Sequence, residues 1–434
     1  MADSYRVRSL KKPAQWTVEV PGSKSITNRA LLLSALCKGY VYLHGVLFSD
    51  DSRHFLSSLQ SLGYDVRIDE GQHTVELEGC GGVLPVQAGS IHVGSAGTAA
   101  RFLTAMLGVS EGTFVINASE QMQKRPMQPL FEALISLGAS AEWLGEAWHL
   151  PVRITGAGAQ IRSLEQEAVL NLDISTSTQF LSAFLLIAPM FPHGIRIHIT
   201  SEKKDGSYIR ITRKMMQEFG VEARFDGCDY TVAPFDGYQK TEYQIEPDVS
   251  GACYFYAAAA MSGGSAKVKH VHWDSMQGDM KFLKLLEQMG CSLTEEADGI
   301  RLTGPVDGLK GLEVNMNDFS DQALTLAAIA PYASSSVKIT HVGHIRGQEC
   351  DRLHAIVTNL RNAGITCEEG DDWVCIHPGK PQPCKIETFE DHRVAMAFAV
   401  MGLGAEGIEI LNPGCCKKTF ENFFEVLDGL LNKQ

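Results

Sequence analysis

Cations and hydroxyls recur in this chain where small, apolar helices should begin. Lys24, Ser25 and Arg29 open one such stretch, and Ser95, Gly97, Thr98 and Arg101 open a second. Ser177, Thr178 and Gln179 open a third; Asp248 with Ser250, then Asp321, then Asp391, His392 and Arg393 open three more. Ser, Thr and Asp are ordinary N-caps, and capping is reason enough for Asp248 and Ser250. A Lys or Arg in the first turn is different, because it opposes the helix dipole unless an anion sits there. Lys24, Arg29, Arg101 and Arg393 are therefore read as parts of phosphate or carboxylate sites built on helix starts. Further cations gather between helices, at Lys124-Arg125-Pro126, at Arg346 and Arg352 around Glu349, and at Lys417-Lys418. Singly each is a solvated surface charge; together they predict a cleft for a small substrate carrying several negative charges.

Two series of helices must position these residues. The buried series is made of Ala, Gly, Ser and large aliphatics on all sides, as in SITNRALLLSAL, GTAARFLTAML, SGACYFYAAAAMSGG and DHRVAMAFAVMGLG. A helix apolar all round has to be enclosed. The outer series is amphipathic, ends at Gly63, Gly138, Gly220, Gly290 and Gly364, and is followed each time by two alternating strands around a turn. A last amphipathic stretch, Phe420 to Leu431, has no strands after it. The buried helices start 70 to 80 residues apart, which predicts six β-α-β-α-β-β units. The expected fold class is α/β (α+β), with two domains of three repeats each, buried parallel helices beneath outer sheets, an inside-out barrel-like arrangement. Domain 1 is expected over 20–245 and domain 2 over 1–19 plus 246–434, with hinges near 19–21 and in the polar stretch 235–247. The strand predicted over Gln15 to Val20 could join either domain.

Composition bounds the function. The 434 residues include 38 Lys+Arg and 51 Asp+Glu, a net charge of −13, which argues against nucleic acid or an anionic membrane as partner. No run approaches the length of a membrane span and Met1 to Val20 lack a signal-peptide core, so a cytoplasmic protein is expected. Eleven scattered cysteines without a C-x-x-C pair fit a reducing compartment. His270-Val271-His272 lies in an alternating stretch, Val268 to Trp273, read as a strand with solvated tips, and no metal site is expected.

Seven segments then carry a resemblance: PGSKSITNRALLLSAL, GSAGTAARFL, KRPM, STQFLSAFL, QECDRL, EDHRVAMAFAV and CKKTF. In this order, over nearly the whole chain, they resemble the signatures of the 5-enolpyruvylshikimate-3-phosphate synthases. The resemblance implies two three-repeat domains that close on the substrates, no metal and no organic cofactor. It implies transfer of the enolpyruvyl group of phosphoenolpyruvate to the 5-hydroxyl of shikimate 3-phosphate with release of phosphate, by a protein expected to be a monomer. It places Lys24, Gly97, Arg125, Gln179, Arg352, Arg393 and Lys418 at phosphoenolpyruvate. Ser25, Arg29, Ser177, Thr178, Gln179, Ser201, Asp321 and Gln348 fall at shikimate 3-phosphate, with Lys24 between the ligands and Tyr208 a weaker candidate. Asp321 is implied as the base on the acceptor hydroxyl and Glu349 as the proton donor to the methylene carbon. Against these roles, Asp321 could cap its helix, although Asp318 could do the same, and Glu349 could be a structural ion pair. His392 reads as a packing residue. Gly97, without a Cβ, would let a ligand approach the backbone.

The chain departs from the family at four positions. Gln348 stands where a Lys is usual and His344 where an Asn is common, which removes a charge near the acceptor but keeps amide donors. Ala100 and Phe102 replace the common Met and Pro, so sensitivity to glyphosate, which occupies the phosphoenolpyruvate site in this family, does not follow from Gly97. The nearest alternative is the sister transferase acting on UDP-N-acetylglucosamine, which typically has Lys-Asn where this chain has Lys24-Ser25 and a loop cysteine where this chain has none between Cys80 and Cys228. A non-catalytic anion-binding protein would explain the cations but not Asp321 together with Glu349.

Overall fold

The small-residue stretches form six helices whose side chains are almost wholly buried. In a computed structural model describing residues 4–433, these are α1 (Lys24–Leu36), α2 (Gly97–Val109), α3 (Gln179–Leu186), α4 (Val249–Ser262), α5 (Ala323–Ile329) and α6 (His392–Leu403). Ala and Leu are strong helix formers, and the small residues let neighbouring helices approach closely. Each fully buried Leu, Ile or Phe in them contributes about 1.5–3 kcal/mol relative to exposure. Side-chain caps set the starts of two of these helices. At α4 the Asp248 carboxylate accepts from the Ser250 N–H, and Gly263, at φ +64°, ends the helix. At α6 Asp391 accepts from the Arg393 N–H at 2.9 Å.

By contact the chain divides into one unit of Gly22–Ile245, holding α1 to α3, and another of Met1–Pro21 with Glu246–Gln434, holding α4 to α6. The buried helices α2, α3, α5 and α6 each connect two parallel strands of one sheet, and in the first five units an outer helix then leads to an antiparallel hairpin. Around α2 the sheet order is Ala88–His92, Thr113–Asn117, Val152–Thr155, Ser140–Trp143, the first pair parallel and the others antiparallel. The sheets that follow α3 and α5 repeat this order. A parallel pair demands a crossover, and the buried helix is that crossover. The five glycines ending the outer helices all have positive φ, from 73° to 109°, the backbone that a left-handed helix stop requires.

Two sheets borrow their first strand. Gln15–Val18 directly precedes α1 in sequence, yet it pairs in parallel with Ser265–Lys269, the strand that follows α4. Conversely, Glu242–Gln244 precedes α4 but pairs with Lys38–His44, which follows α1. Both crossings between units thus fall at the same point of a repeat, between first strand and buried helix. The sixth sheet, Cys384–Ile386 with Ile408–Leu411, has no hairpin of its own, and the N-terminal strand Ser4–Arg6 fills the place antiparallel to Ile408–Leu411.

Two expectations change in extent. The polar stretch 235–247 is mostly built into one unit: beyond its strand, Tyr238 is buried and donates from Oη to the Leu186 carbonyl at 2.9 Å. The strand expected over Val268 to Trp273 ends at Lys269, because His270 turns to φ +62°. His270 and His272 face Glu19 and Glu295 at 3.5 and 3.0 Å.

Candidate active site

In the Gly22–Ile245 unit the starts of α1, α2 and α3 are joined by side chains. Asn28 Nδ2 donates to Thr98 Oγ1 at 2.6 Å, Arg29 Nη2 donates to Ser182 Oγ at 3.4 Å, and the Arg101 guanidinium lies 5.6 Å from the Phe180 ring centre. None of the three helices is capped by the side chain of its N-cap residue, Ser23, Ala96 or Thr178, so their first N–H groups are not claimed by those caps. Lys24 Nζ sits 3.4 Å from Oδ2 of the buried Asp51, which opens the outer helix Asp50–Ser61. Asp51 escaped the sequence reading, because an acid at a helix start reads as a cap.

Arg29 is fully buried. It donates to Thr212 Oγ1 at 2.8 Å and to the carbonyls of Ser25 at 2.9 Å and Tyr208 at 3.2 Å. Its guanidinium lies 5.4 Å from the Phe102 ring centre and 5.8 Å from that of Tyr208. All these partners are neutral, and burial pushes its pKa down to about 10. Such a charge invites an anion. A Cβ on Gly97 would lie 2.6 Å from Arg101 Nη1 and 2.8 Å from Arg125 Nη1, so the bare glycine is what lets both guanidiniums reach the start of α2. Arg101 Nη1 also donates to the Gly97 carbonyl at 3.1 Å. Ser177 and Thr178 are half-buried at the start of α3, where Ser177 Oγ accepts from the Gln179 N–H at 3.2 Å. Gln179 Oε1 is a buried oxygen with no hydrogen-bond partner among the described residues. Ser201 Oγ is occupied within the protein, accepting from the Ile174 N–H at 3.2 Å and donating to the Lys203 carbonyl at 2.9 Å.

In the other unit Arg352, 1 % exposed, is the hub. It is the first residue of the helix Arg352–Asn362, where a lone cation would oppose the dipole. Its Nε donates to Asp391 Oδ2 at 2.7 Å, Nη1 to Asp321 Oδ1 at 2.9 Å and Nη2 to Glu349 Oε2 at 2.8 Å; Nη1 also bonds Gln348 Oε1. Burial alone would lower its pKa, but Asp391, Glu349 and Asp321 more than offset this and the net shift is upward. Arg393 Nη2 donates to the other oxygen of Asp321 at 3.0 Å. Lys418 Nζ lies 3.3 Å from the other oxygen of Glu349. Each of the two candidate acid–base carboxylates is therefore held by a cation on both oxygens. Asp391, fully buried, caps α6 and orders the hub; His392 is buried beside it, Nδ1 at 3.5 Å from Asp391 Oδ1.

The cap alternative for Asp321 is not what the geometry shows. Asp321 lies inside the short turn Ser320–Gln322 that leads into α5 and faces the two arginines, while Asp318 pairs with Lys281 at 2.6 Å. Arg346, read as a neighbour of Glu349, instead reaches Asp351 at 2.9 Å and Glu369 at 3.4 Å. The Gln348 amide oxygen is turned onto Arg352, and His344 Nε2 is 2.8 Å from Ser320 Oγ.

Comparisons with known proteins agree over the full length. The family model of EPSP synthase (3-phosphoshikimate 1-carboxyvinyltransferase) matches residues 10–427. The 3-phosphoshikimate 1-carboxyvinyltransferase of Nostoc sp. is 41% identical over 97% of this chain and 98% of its own, and that of Pasteurella multocida 39% over 94% and 93%. The solved EPSP synthase of Acinetobacter baumannii superposes with a TM-score of 0.82 at 25% identity, covering 99% of this chain and 98% of that one. Matched over nearly its whole length by a family model, by relatives and by a solved fold, the chain belongs to the EPSP synthase family.

Proposed function

We propose that the cluster around Arg352 is the acid–base centre of the reaction. The chain transfers the enolpyruvyl group of phosphoenolpyruvate to the 5-hydroxyl of shikimate 3-phosphate and releases phosphate. In that reaction a proton is added to the methylene carbon, the acceptor oxygen bonds to the neighbouring carbon, and the adduct then loses a proton and phosphate. Asp321 takes the hydroxyl proton and Glu349 supplies the carbon proton. The observation that carries this reading is that Asp321 and Glu349 each bridge two cations. Those cations stabilise both anions in the resting protein, which opposes proton donation by Glu349. Substrate phosphate and carboxylate compete for the same cations, and once they take up Arg352, Arg393 and Lys418 both carboxylates regain proton affinity.

Lys24, Gly97, Arg125 and Gln179 join Arg352, Arg393 and Lys418 as contacts of phosphoenolpyruvate. Lys24 also serves the reacting adduct. Ser25, Arg29, Ser177, Thr178, Gln179, Ser201, Asp321 and Gln348 are assigned to shikimate 3-phosphate. Ser201 must turn its hydroxyl proton away from the Lys203 carbonyl to serve an anion. The two compact units are taken as two domains of three repeats. Monomeric action is part of this reading, and a cytoplasmic location is supported by the eleven free thiols. Among the described residues no helix is long and apolar enough to cross a membrane.

The test is a pair of conservative variants assayed for phosphate release and, separately, for ligand binding by calorimetry. D321N and E349Q are expected to bind both substrates and to lose turnover by roughly a hundredfold or more. Turnover equal to the unmodified protein in either variant would remove that residue from its role.

A further inference from the structure

Asp279 is a buried carboxylate for which the reaction as described has no use. It stands at the N-cap position of the helix Met280–Gln288, the ordinary place for a capping Asp, but its side chain makes no cap hydrogen bond. Its Oδ2 instead accepts from Gln322 Nε2 at 3.1 Å and from Ser250 Oγ, one donor on the turn that carries Asp321 and the other on α4. Gln322 is held in turn, its Oε1 accepting from Thr325 Oγ1 at 2.9 Å. The turn that presents the proposed base is thus fastened from below to a second carboxylate, with one intervening side chain.

The charges around Asp279 can be named element by element. From the turn it faces Asp321, and from α6 it faces Arg393. On α4 it faces Cys253, whose thiol lies 3.9 Å from the Asp279 carbonyl and which also feels Asp248. On its own helix Lys281 is turned away to Asp318 at 2.6 Å. Asp279 and Asp321 therefore share the field of Arg393 in a region of low effective dielectric.

We propose that Asp279 is a positioning residue for this reaction: its buried negative charge offsets the two arginines that hold Asp321 and so keeps Asp321 basic enough to accept the hydroxyl proton. Two guanidiniums on one carboxylate weaken it as a base, and a second buried anion, bonded through Gln322 to the same turn, restores part of that strength. Burial raises the pKa of Asp279 to about 6, with the Asp321 charge adding to the rise and Arg393, Ser250 and Gln322 opposing it. Asp279 is then ionised at neutral pH and loses its charge, and its support of Asp321, under mildly acidic conditions.

The inference rests on Asp321 being the base, and the two can fail separately. D279N keeps an oxygen that accepts the same two hydrogen bonds but removes the charge. It is expected to lower kcat roughly tenfold at neutral pH, leave the KM for phosphoenolpyruvate no higher, and move the acid limb of the kcat–pH profile down by about one unit. S250A keeps the charge but removes a donor that favours it, so the same limb is expected to move to higher pH. Substrate titration is common to all forms and cancels in these comparisons. An acid limb at the same pH in both variants, with D321N inactive, would overturn the role of Asp279 and leave Asp321 as base. Full turnover in D321N would overturn both. If D279N fails to fold, the direction of the S250A shift decides: an unmoved or lowered limb contradicts the proposal.

Discussion

Two buried arginines do opposite things. Arg352 is matched by three carboxylates, so replacing it leaves the fully buried Asp391 without its arginine and Asp321 and Glu349 with one cation each. R352Q is expected to lower unfolding free energy by about 3–5 kcal/mol, read by chemical denaturation, besides abolishing turnover. Arg29 is matched by none: among the described residues its bonds go to hydroxyls, carbonyls and aromatic faces. Its folded pKa of about 10 lies below the ordinary value of 12.5, so the charged form is penalised in the folded state at every pH below about 10 and relieved only above it. R29M is therefore expected to leave the unliganded melting temperature nearly unchanged or raised from pH 6 to 9, while the melting shift produced by shikimate 3-phosphate disappears. A large loss of unliganded stability would show that its hydrogen bonds outweigh its desolvation. At this scale the sequence was legible where a residue broke a rule. Lys24, Arg29 and Arg393 stood out as cations at helix starts. Asp279 and Asp51 did not, because an acid in that place obeys the rule, and only tertiary contacts show that each points elsewhere.

The elements carry their own close tolerances. Where the hairpin strand Val152–Thr155 leaves its sheet it passes over the end of α2, and a Cβ on Gly156 would lie 2.1 Å from the Ser110 carbonyl oxygen and 2.4 Å from that of Leu107. Gly79 meets the end of α1 in the same way, at 2.2 Å from the Ser34 carbonyl oxygen. Backbone cannot yield as a side-chain tip can, so G156A is expected to cost about 1–3 kcal/mol in denaturant unfolding without altering the KM of either substrate. G97A has the opposite signature: its Cβ displaces the tips of Arg101 and Arg125, so the KM for phosphoenolpyruvate rises while stability is nearly kept. The outer helices were legible from periodicity and their glycine stops, and the buried ones from being small and apolar on all sides. The pairing of Gln15–Val18 with Ser265–Lys269 was not, since a short alternating strand carries no information about which distant partner completes its sheet.

For the whole molecule, that strand exchange has a consequence for folding. The unit Gly22–Ile245 contains every strand of its three sheets, whereas the segment from Glu246 onward lacks Ser4–Arg6 and Gln15–Val18. Expressed alone, residues 22–245 are expected to unfold cooperatively. Residues 246–434 alone would expose two unpaired sheet edges and are expected to aggregate or remain partly unfolded, recovering when 1–21 is fused back. Equal solubility and cooperativity of the second fragment with and without 1–21 would contradict this. The net charge of −13 also has a clear meaning at this scale. It argues against polyanionic partners but says nothing of the site, because Lys24, Arg29, Arg352, Arg393 and Lys418 are withdrawn from the exposed surface. The central claim is the reaction, and it is tested most directly by phosphate release from phosphoenolpyruvate with shikimate 3-phosphate or UDP-N-acetylglucosamine as acceptor. The account expects release that depends on shikimate 3-phosphate, equals the enolpyruvyl product formed, and is absent with the sugar nucleotide. Release no faster with shikimate 3-phosphate than without any acceptor, from folded protein, would contradict it.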